Sequence, residues 1–251
     1  MSMSDINTRL SGTTGSSAAG QSIAAATAAA PVYSTNWLDM GLTGTTPNQR
    51  ELRNLFALVW PTTTVDSATN TATLDIEIVM VPTTTPATPT LVFTAAGFAT
   101  DTMTSTAHGL PNGTRVTVAS VTTLPAGLTA STNYYVRDAA ADTFKLTLVP
   151  GGTAVDITDA GSGTHTATWF PEVVGAAPKI GLERLIANVA QVQLVINPLL
   201  IGPGNGVPVH RYLFARYVPT ANLTAGVVFC DLRTGAPMAN FPINPNNYVT
   251  P

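Results

Sequence analysis

Thr73-Leu74-Asp75-Ile76-Glu77-Ile78 places an aliphatic residue at every second position and sets Asp75 and Glu77 between them. Successive side chains of a strand point to opposite faces, so this period of two reads as a half-exposed β-strand with Leu74, Ile76 and Ile78 turned to a core. The same reading extends to Phe144-Lys145-Leu146-Thr147-Leu148, to Gln191-Val192-Gln193-Leu194-Val195-Ile196 and to Tyr212-Leu213-Phe214-Ala215-Arg216-Tyr217. Thr and Val favour pleated surfaces, and Gly, Pro and Asn clusters separate these short runs, so the chain is expected to be all-β. Two segments compete with that reading. Glu51–Trp60 reads as a strand that stops at a turn at Pro61, in preference to a helix capped by Thr46 with Pro47 at its first position. Leu182–Val189 has helical spacing and leaves one short helix open.

Pro82-Thr83-Thr84-Thr85-Pro86-Ala87-Thr88-Pro89 is poor in hydrogen-bond donors and expected to be an extended hinge. A second break falls at Trp169-Phe170-Pro171-Glu172. Between them, residues 90–170 hold short strands punctuated by Pro111-Asn112-Gly113, Pro150-Gly151-Gly152 and Ala160-Gly161-Ser162-Gly163. This predicts a small β domain at 90–170, inserted into a discontinuous jelly-roll or related β-sandwich host of residues 31–81 plus 171–251. Residues 1–30 form a leader whose Ser11–Ala30 stretch is uncharged Ser, Ala, Thr and Gly for the most part. Too little apolar surface is present to repay ordering it, so the leader is expected to be an extended arm held by a neighbouring subunit.

Charged residues make up 10% of the 251, against about 25% in ordinary soluble domains. Sparse charge suits a surface occupied by partners. The net charge is −3 and the only lysines are Lys145 and Lys179, which argues against nucleic acid, whose binding rests on neutralising phosphates. Arg50 and Arg53 read as solvated surface charges. Cys230 is the single cysteine, so no intrachain disulfide is expected. The N-terminus has neither a cationic region nor an apolar run, so no signal peptide is expected. The longest apolar stretch, Leu185–Ile201, is interrupted by Asn188, Gln191, Gln193, Asn197 and Pro198, and is not expected to span a membrane.

Candidate chemistry is thin, and no catalytic, cofactor or metal residue is assigned. His108, His165 and His210 stand at no metal-ligand spacing. His108 is expected to bond local backbone at a turn, and His165 to approach His108 across a sheet. Asp138, Asp142, Asp156 and Asp159 are the densest acidic group; they lack the further ligands of a calcium loop and read as turn residues. Gly161-Ser162-Gly163 is a flexible turn rather than a nucleophile elbow. With four glutamates, carboxylate pairs for glycoside cleavage are scarce. Trp37, Trp60, Trp169, Tyr134 and Tyr135 read as packing residues, with a sugar platform retained as a possibility for the inserted domain.

Ser34-Thr35-Asn36-Trp37-Leu38-Asp39-Met40-Gly41, the strand run ending at Pro82, and Arg211–Tyr217 leading to Leu223-Thr224-Ala225-Gly226-Val227-Val228 resemble the capsid cement (decoration) proteins of tailed bacteriophages. The likeness covers about 100 residues in two pieces. Ser105–Leu110, Leu124–Leu128, Thr132–Val136 and Asp142–Leu146 are similar to a β module that recurs in phage tail and fibre proteins. The resemblance implies a non-enzymatic β-sandwich or jelly-roll virion protein on the outer surface of the head, made in the host cytoplasm. It would stabilise the lattice by bridging capsomers. Its implied partners are the major capsid protein and further copies of itself, most commonly as a homotrimer, with neither nucleic acid nor membrane bound and no cofactor. The alternative is a tail or adhesion protein whose inserted domain binds host-surface glycans.

Overall fold

The computed structural model describes residues 8–11, 20–39, 55–69, 71–189, 191–196 and 210–234. Regular structure among them is β, apart from 3-10 turns at Phe98–Thr100 and Leu182–Arg184. The chain divides into two compact units. One comprises Met1–Met80, Val173–Gly202 and Arg211–Pro251, and the other Val81–Glu172 with Pro203–His210. In chain order, the strands are β1 (Thr8–Ser11), β2 (Gln21–Ser22), β3 (Val32–Tyr33), β4 (Leu38–Asp39), β5 (Leu55–Ser67) and β6 (Thr73–Val81). Next come β7 (Thr90–Gly97), β8 (Thr102–Thr104), β9 (Arg115–Ser120), β10 (Tyr134–Arg137), β11 (Thr143–Thr147) and β12 (His165–Trp169). The last four are β13 (Glu172–Gly181), β14 (Val192–Val195), β15 (Tyr212–Pro219) and β16 (Leu223–Thr234).

The first unit contains two five-stranded sheets. One has the order β1-β16-β5-β14 with β2 also on β16; the other has β13-β6-β15-β3 with β4 also on β15. Alternation sets what each strand buries: Leu74, Ile76 and Ile78 on β6, Leu213, Ala215 and Tyr217 on β15, and Val228, Cys230 and Leu232 on β16. A polar bolt joins the two sheets. The Tyr217 hydroxyl lies 2.7 Å from Ser11 Oγ and also bonds the Cys230 thiol. Burial raises the pKa of both Tyr217 and Cys230, so the bolt is uncharged. Pro178 falls within β13, the first strand in the order of its sheet, and sheet-end strands are where proline is tolerated.

Three sequence expectations change here. The described part of the leader is held by its own chain: Ser11 lies opposite Cys230 and Gln21 opposite Val228, so β1 and β2 run along the same edge of β16. Leu10, Ile23 and Ala26 are fully buried. Burying a Leu or Ile side chain contributes about 1.5–3 kcal/mol, and this, together with ladder hydrogen bonds, offsets the ordering entropy that the composition alone leaves unmatched. Second, the strand from Leu55 passes through Pro61 to Ser67. Val227 faces Thr63 while Val228 faces Pro61, so the proline sits at a bulge, where a residue without an N–H is tolerated. Third, Leu182–Val189 holds a 3-10 turn and then a second turn at Ile186–Val189, both beside β5. Val65 N donates to Leu185 O and Asn188 N to Pro61 O, and β14 continues the same antiparallel track from Val59 to Phe56. The helix weighed for Thr46 and Pro47 lies outside the described residues.

The second unit is a closed six-stranded barrel, β10-β11-β8-β7-β12-β9, with every neighbouring pair antiparallel. Its strands begin at Thr90 and end at Trp169. Period-two alternation fills the interior with Phe93, Ala95, Met103, Val116, Val118, Tyr134, Val136, Phe144, Leu146, His165, Ala167 and Trp169. Thr and Arg residues such as Thr94, Thr104 and Arg115 take the outward positions.

Candidate functional site

In the barrel, the polar residues that attract attention in the sequence brace the fold. His108 and His165 are both buried, and they are linked through two phenylalanines. His108 meets Phe144 at 5.1 Å, Phe144 meets Phe93 at 6.2 Å, and Phe93 meets His165 at 5.5 Å between centroids. The expected approach of the two imidazoles is thus mediated by a row of rings. His108 Nδ1 accepts from Leu110 N (3.0 Å), which leaves Nε2–H to donate to Thr143 O (3.2 Å). Nε2–H of His165 donates to Ala160 O, and Nδ1 meets Ser120 Oγ, both at 3.0 Å. His210 is buried against Thr114 Oγ1. A ring whose nitrogens are both engaged by the fold has no lone pair left for a metal. Among the described residues, no three His, Cys, Asp or Glu side chains converge as ligands.

The aspartates act across loops as well as within them. Asp142 Oδ1 accepts from Ala107 N, pinning the turn before His108 to the strand that carries Phe144. Asp159 Oδ1 accepts from Ala126 N (2.8 Å) and Gly161 N (2.9 Å), and these bonds lower its pKa. Asp101 Oδ1 accepts from Ile157 N, and Asp138 pairs with its neighbour Arg137. These separations of 33–56 residues leave no spacing motif for sequence reading to find. The turn at Ser162 is packed rather than flexible. Gly161 has φ +64, and a Cβ there would lie 2.6 Å from both Thr123 O and Pro125 N. Ser162 enters this turn through its backbone, its carbonyl accepting from Ser120 Oγ at 3.0 Å and from Thr123 N at 3.1 Å. Glu172 stands apart: Oε2 is buried without a hydrogen-bond partner, and burial pushes the carboxyl up to about 7.

The aromatic platform considered for the inserted domain is not assembled there, because Trp169 and Tyr134 lie in the barrel core. The Tyr134 hydroxyl accepts from Thr129 N instead. Trp60 is half-buried against Phe229, 5.4 Å away across β5 and β16. Trp37 alone of the three tryptophans is largely open, at 43% exposure.

Trp37 belongs to a constellation on the outer face of the sheet containing β15. Leu213, Ala215 and Tyr217 point inward, so Tyr212, Phe214 and Arg216 point out. Trp37 stacks on Phe214 at 5.8 Å and 27°, and Tyr33 meets the same ring edge-on at 6.3 Å. Arg211 Nε and Nη2 donate to the two Asp39 oxygens at 2.8 and 2.7 Å, and Arg216 Nε donates to Glu77 Oε2 at 2.6 Å. The segment carrying Trp37 is fastened on both sides. Gln21 donates to Tyr33 O and accepts from Thr35 N, while Asn36 N donates to Leu10 O. Ser34 Oγ donates to Asn36 O and accepts from Ala215 N. Arg50 and Arg53 lie outside the described residues. No protein-family model matches the chain, and no curated protein or solved structure matches it.

Proposed function

We propose that this chain is a structural, non-enzymatic virion protein that decorates the head of a tailed bacteriophage and bridges capsomers. One observation supports this reading most: the apolar margin of the sandwich. The segments beside β5, residues 185–189 and 192–195, leave Ile186, Val189 and Val195 exposed at 45%, 47% and 60%. A charge-poor surface with aliphatic side chains along one edge loses little by desolvation when a second copy or a shell subunit covers it. Copies assembled about a symmetry axis would then engage several shell subunits at once, and multivalency would turn weak single contacts into firm attachment. Because β1 and β2 are built into their own sheet, the leader's part in this scheme is to complete the body rather than to reach for neighbours.

The reading is tested by particle stoichiometry and reconstitution. Purified particles should carry the chain at a copy number comparable with the major capsid protein, and the isolated protein should sediment as a homotrimer and rebind undecorated heads. Ile186→Asp with Val195→Asp should dissociate the oligomer and weaken head binding at least about tenfold. A few copies per particle, the stoichiometry of a tail tip, would overturn it. The glycan-binding alternative for the inserted domain has lost Trp169 and Tyr134 to the barrel core.

A further inference from the structure

We infer that the outer face around Trp37 is a binding site for a neutral saccharide. The inference is independent of where on a particle the chain sits. A pyranose ring offers a patch of C–H bonds on each face and hydroxyls around its rim, so it is held by a flat exposed aromatic ring flanked by fixed hydrogen-bonding groups. Trp37 supplies the flat ring. One face of the indole rests on Phe214, and the residue as a whole remains 43% exposed. Phe214 itself is buried beneath Trp37 and Tyr33, so the indole has a rigid apolar support rather than a free hinge.

The rim groups come from the same strands. Asp39 stands two residues after Trp37, about 7 Å along an extended backbone and on the same side, and its carboxylate is fixed by both nitrogens of the Arg211 fork. A rim hydroxyl of a ring lying over the indole, with a hydrogen bond of about 2.8 Å beyond it, falls within that spacing. The pairing also decides the ligand's charge. Asp39 is matched by Arg211 and Glu77 by Arg216, so among the described residues the face has no surplus cation to draw an acidic sugar or a phosphate. The carboxylate and guanidinium remain half-exposed, at 41% each, and can still hydrogen-bond hydroxyls at their open edges.

Pre-organisation completes the case. Six hydrogen bonds of Gln21, Ser34 and Asn36 fasten Tyr33 to Asn36 immediately before the indole, and three of them are made with the leader residues Gln21 and Leu10. A surface tryptophan that only covers Phe214 would not need its approach segment tied at successive residues. A binding residue benefits directly, because side chains already held in place lose less entropy on association.

The experiment titrates the full chain with maltohexaose, cellohexaose, chitohexaose and mannohexaose, with sialyllactose as an acidic comparator and a proline-rich peptide as a protein-like one. Calorimetry and saturation-transfer NMR supply the readouts. At least one neutral oligosaccharide is expected to bind, with Kd on the order of a millimolar, and with no change between about 50 and 500 mM salt because no charge pairing is involved. Trp37→Ala should weaken binding at least about tenfold and Trp37→Phe by less. Arg211→Ala, which leaves the aromatic stack in place, should weaken it severalfold with an unaltered circular dichroism spectrum. Absence of binding by every neutral sugar, binding confined to sialyllactose or to the peptide, or a neutral-sugar affinity untouched by Trp37→Ala in a folded protein would each overturn the inference.

Discussion

In the barrel, β12 hydrogen-bonds to β7 on one side and β9 on the other, and each of the six strands likewise has two neighbours. In the sandwich, β16 would end its sheet as an open edge were it not covered by β1 and β2. Closure removes edges outright, whereas an open sheet must find separate pieces of chain to cover them. The two regions therefore store their stability differently. The barrel depends on turns tight enough to let six short strands close; the sandwich depends on a leader that contributes a few buried residues, Leu10, Ser11, Gln21, Ile23 and Ala26.

Removing the leader is the hardest blow to that contrast. Deleting residues 1–30 strips Leu10, Ile23 and Ala26 from the core and Ser11 from Tyr217, and exposes the β16 edge. The loss should be at least about 4 kcal/mol, given that single large-to-small core substitutions cost about 2–5 kcal/mol. Calorimetry should then show the sandwich transition abolished while the barrel's survives, and a common loss of both would break the comparison. Gly127→Ala attacks the barrel instead. Gly127 has φ +101, and a Cβ there would collide with the Asp156 carbonyl oxygen, so about 3 kcal/mol should be lost from the barrel transition alone.

The smallest effect sharpens the comparison through pH. Glu172 has its carboxyl raised from 4.5 to about 7 by burial, so the folded state holds a proton that the unfolded chain has released. The resulting stabilisation is fully present below pH 4.5 and is lost as pH rises through about 7. Discounted for solvent screening, it amounts to about 1 kcal/mol. Glu172→Gln should flatten urea-unfolding stability across that window, and an unchanged slope would assign the pH dependence elsewhere.

How far the sequence discloses this molecule depends on the kind of signal each element uses. Leu74, Ile76 and Ile78 announce β6 by alternation, and Phe144 and Leu146 do the same for β11, because a strand with one buried face must write that period into its residues. β1 and β2 write nothing comparable. They are four and two residues long, and their partner lies at the far end of the chain. Pro61 reads as a stop because the bulge that accommodates it is made by β16, not by β5's own sequence. The Trp37 face was equally hidden. Its members, Tyr33, Trp37, Asp39, Glu77, Arg211, Phe214 and Arg216, come from four strands and the segments beside them, and only pairing brings them together.

The pairing of the leader with the last strand also fixes an order of events during translation. Ser11 waits for Tyr217 across 206 residues, whereas Thr90 meets Thr168 across 78. At roughly 5–20 residues per second, the nascent N-terminus leaves the ribosome about 10–40 s before its partner exists, while the barrel can close on the emerging chain. Until β16 is made, β5 and β6 hang as unfinished ribbons, so the cell's chaperones meet a protein with a completed middle and open ends.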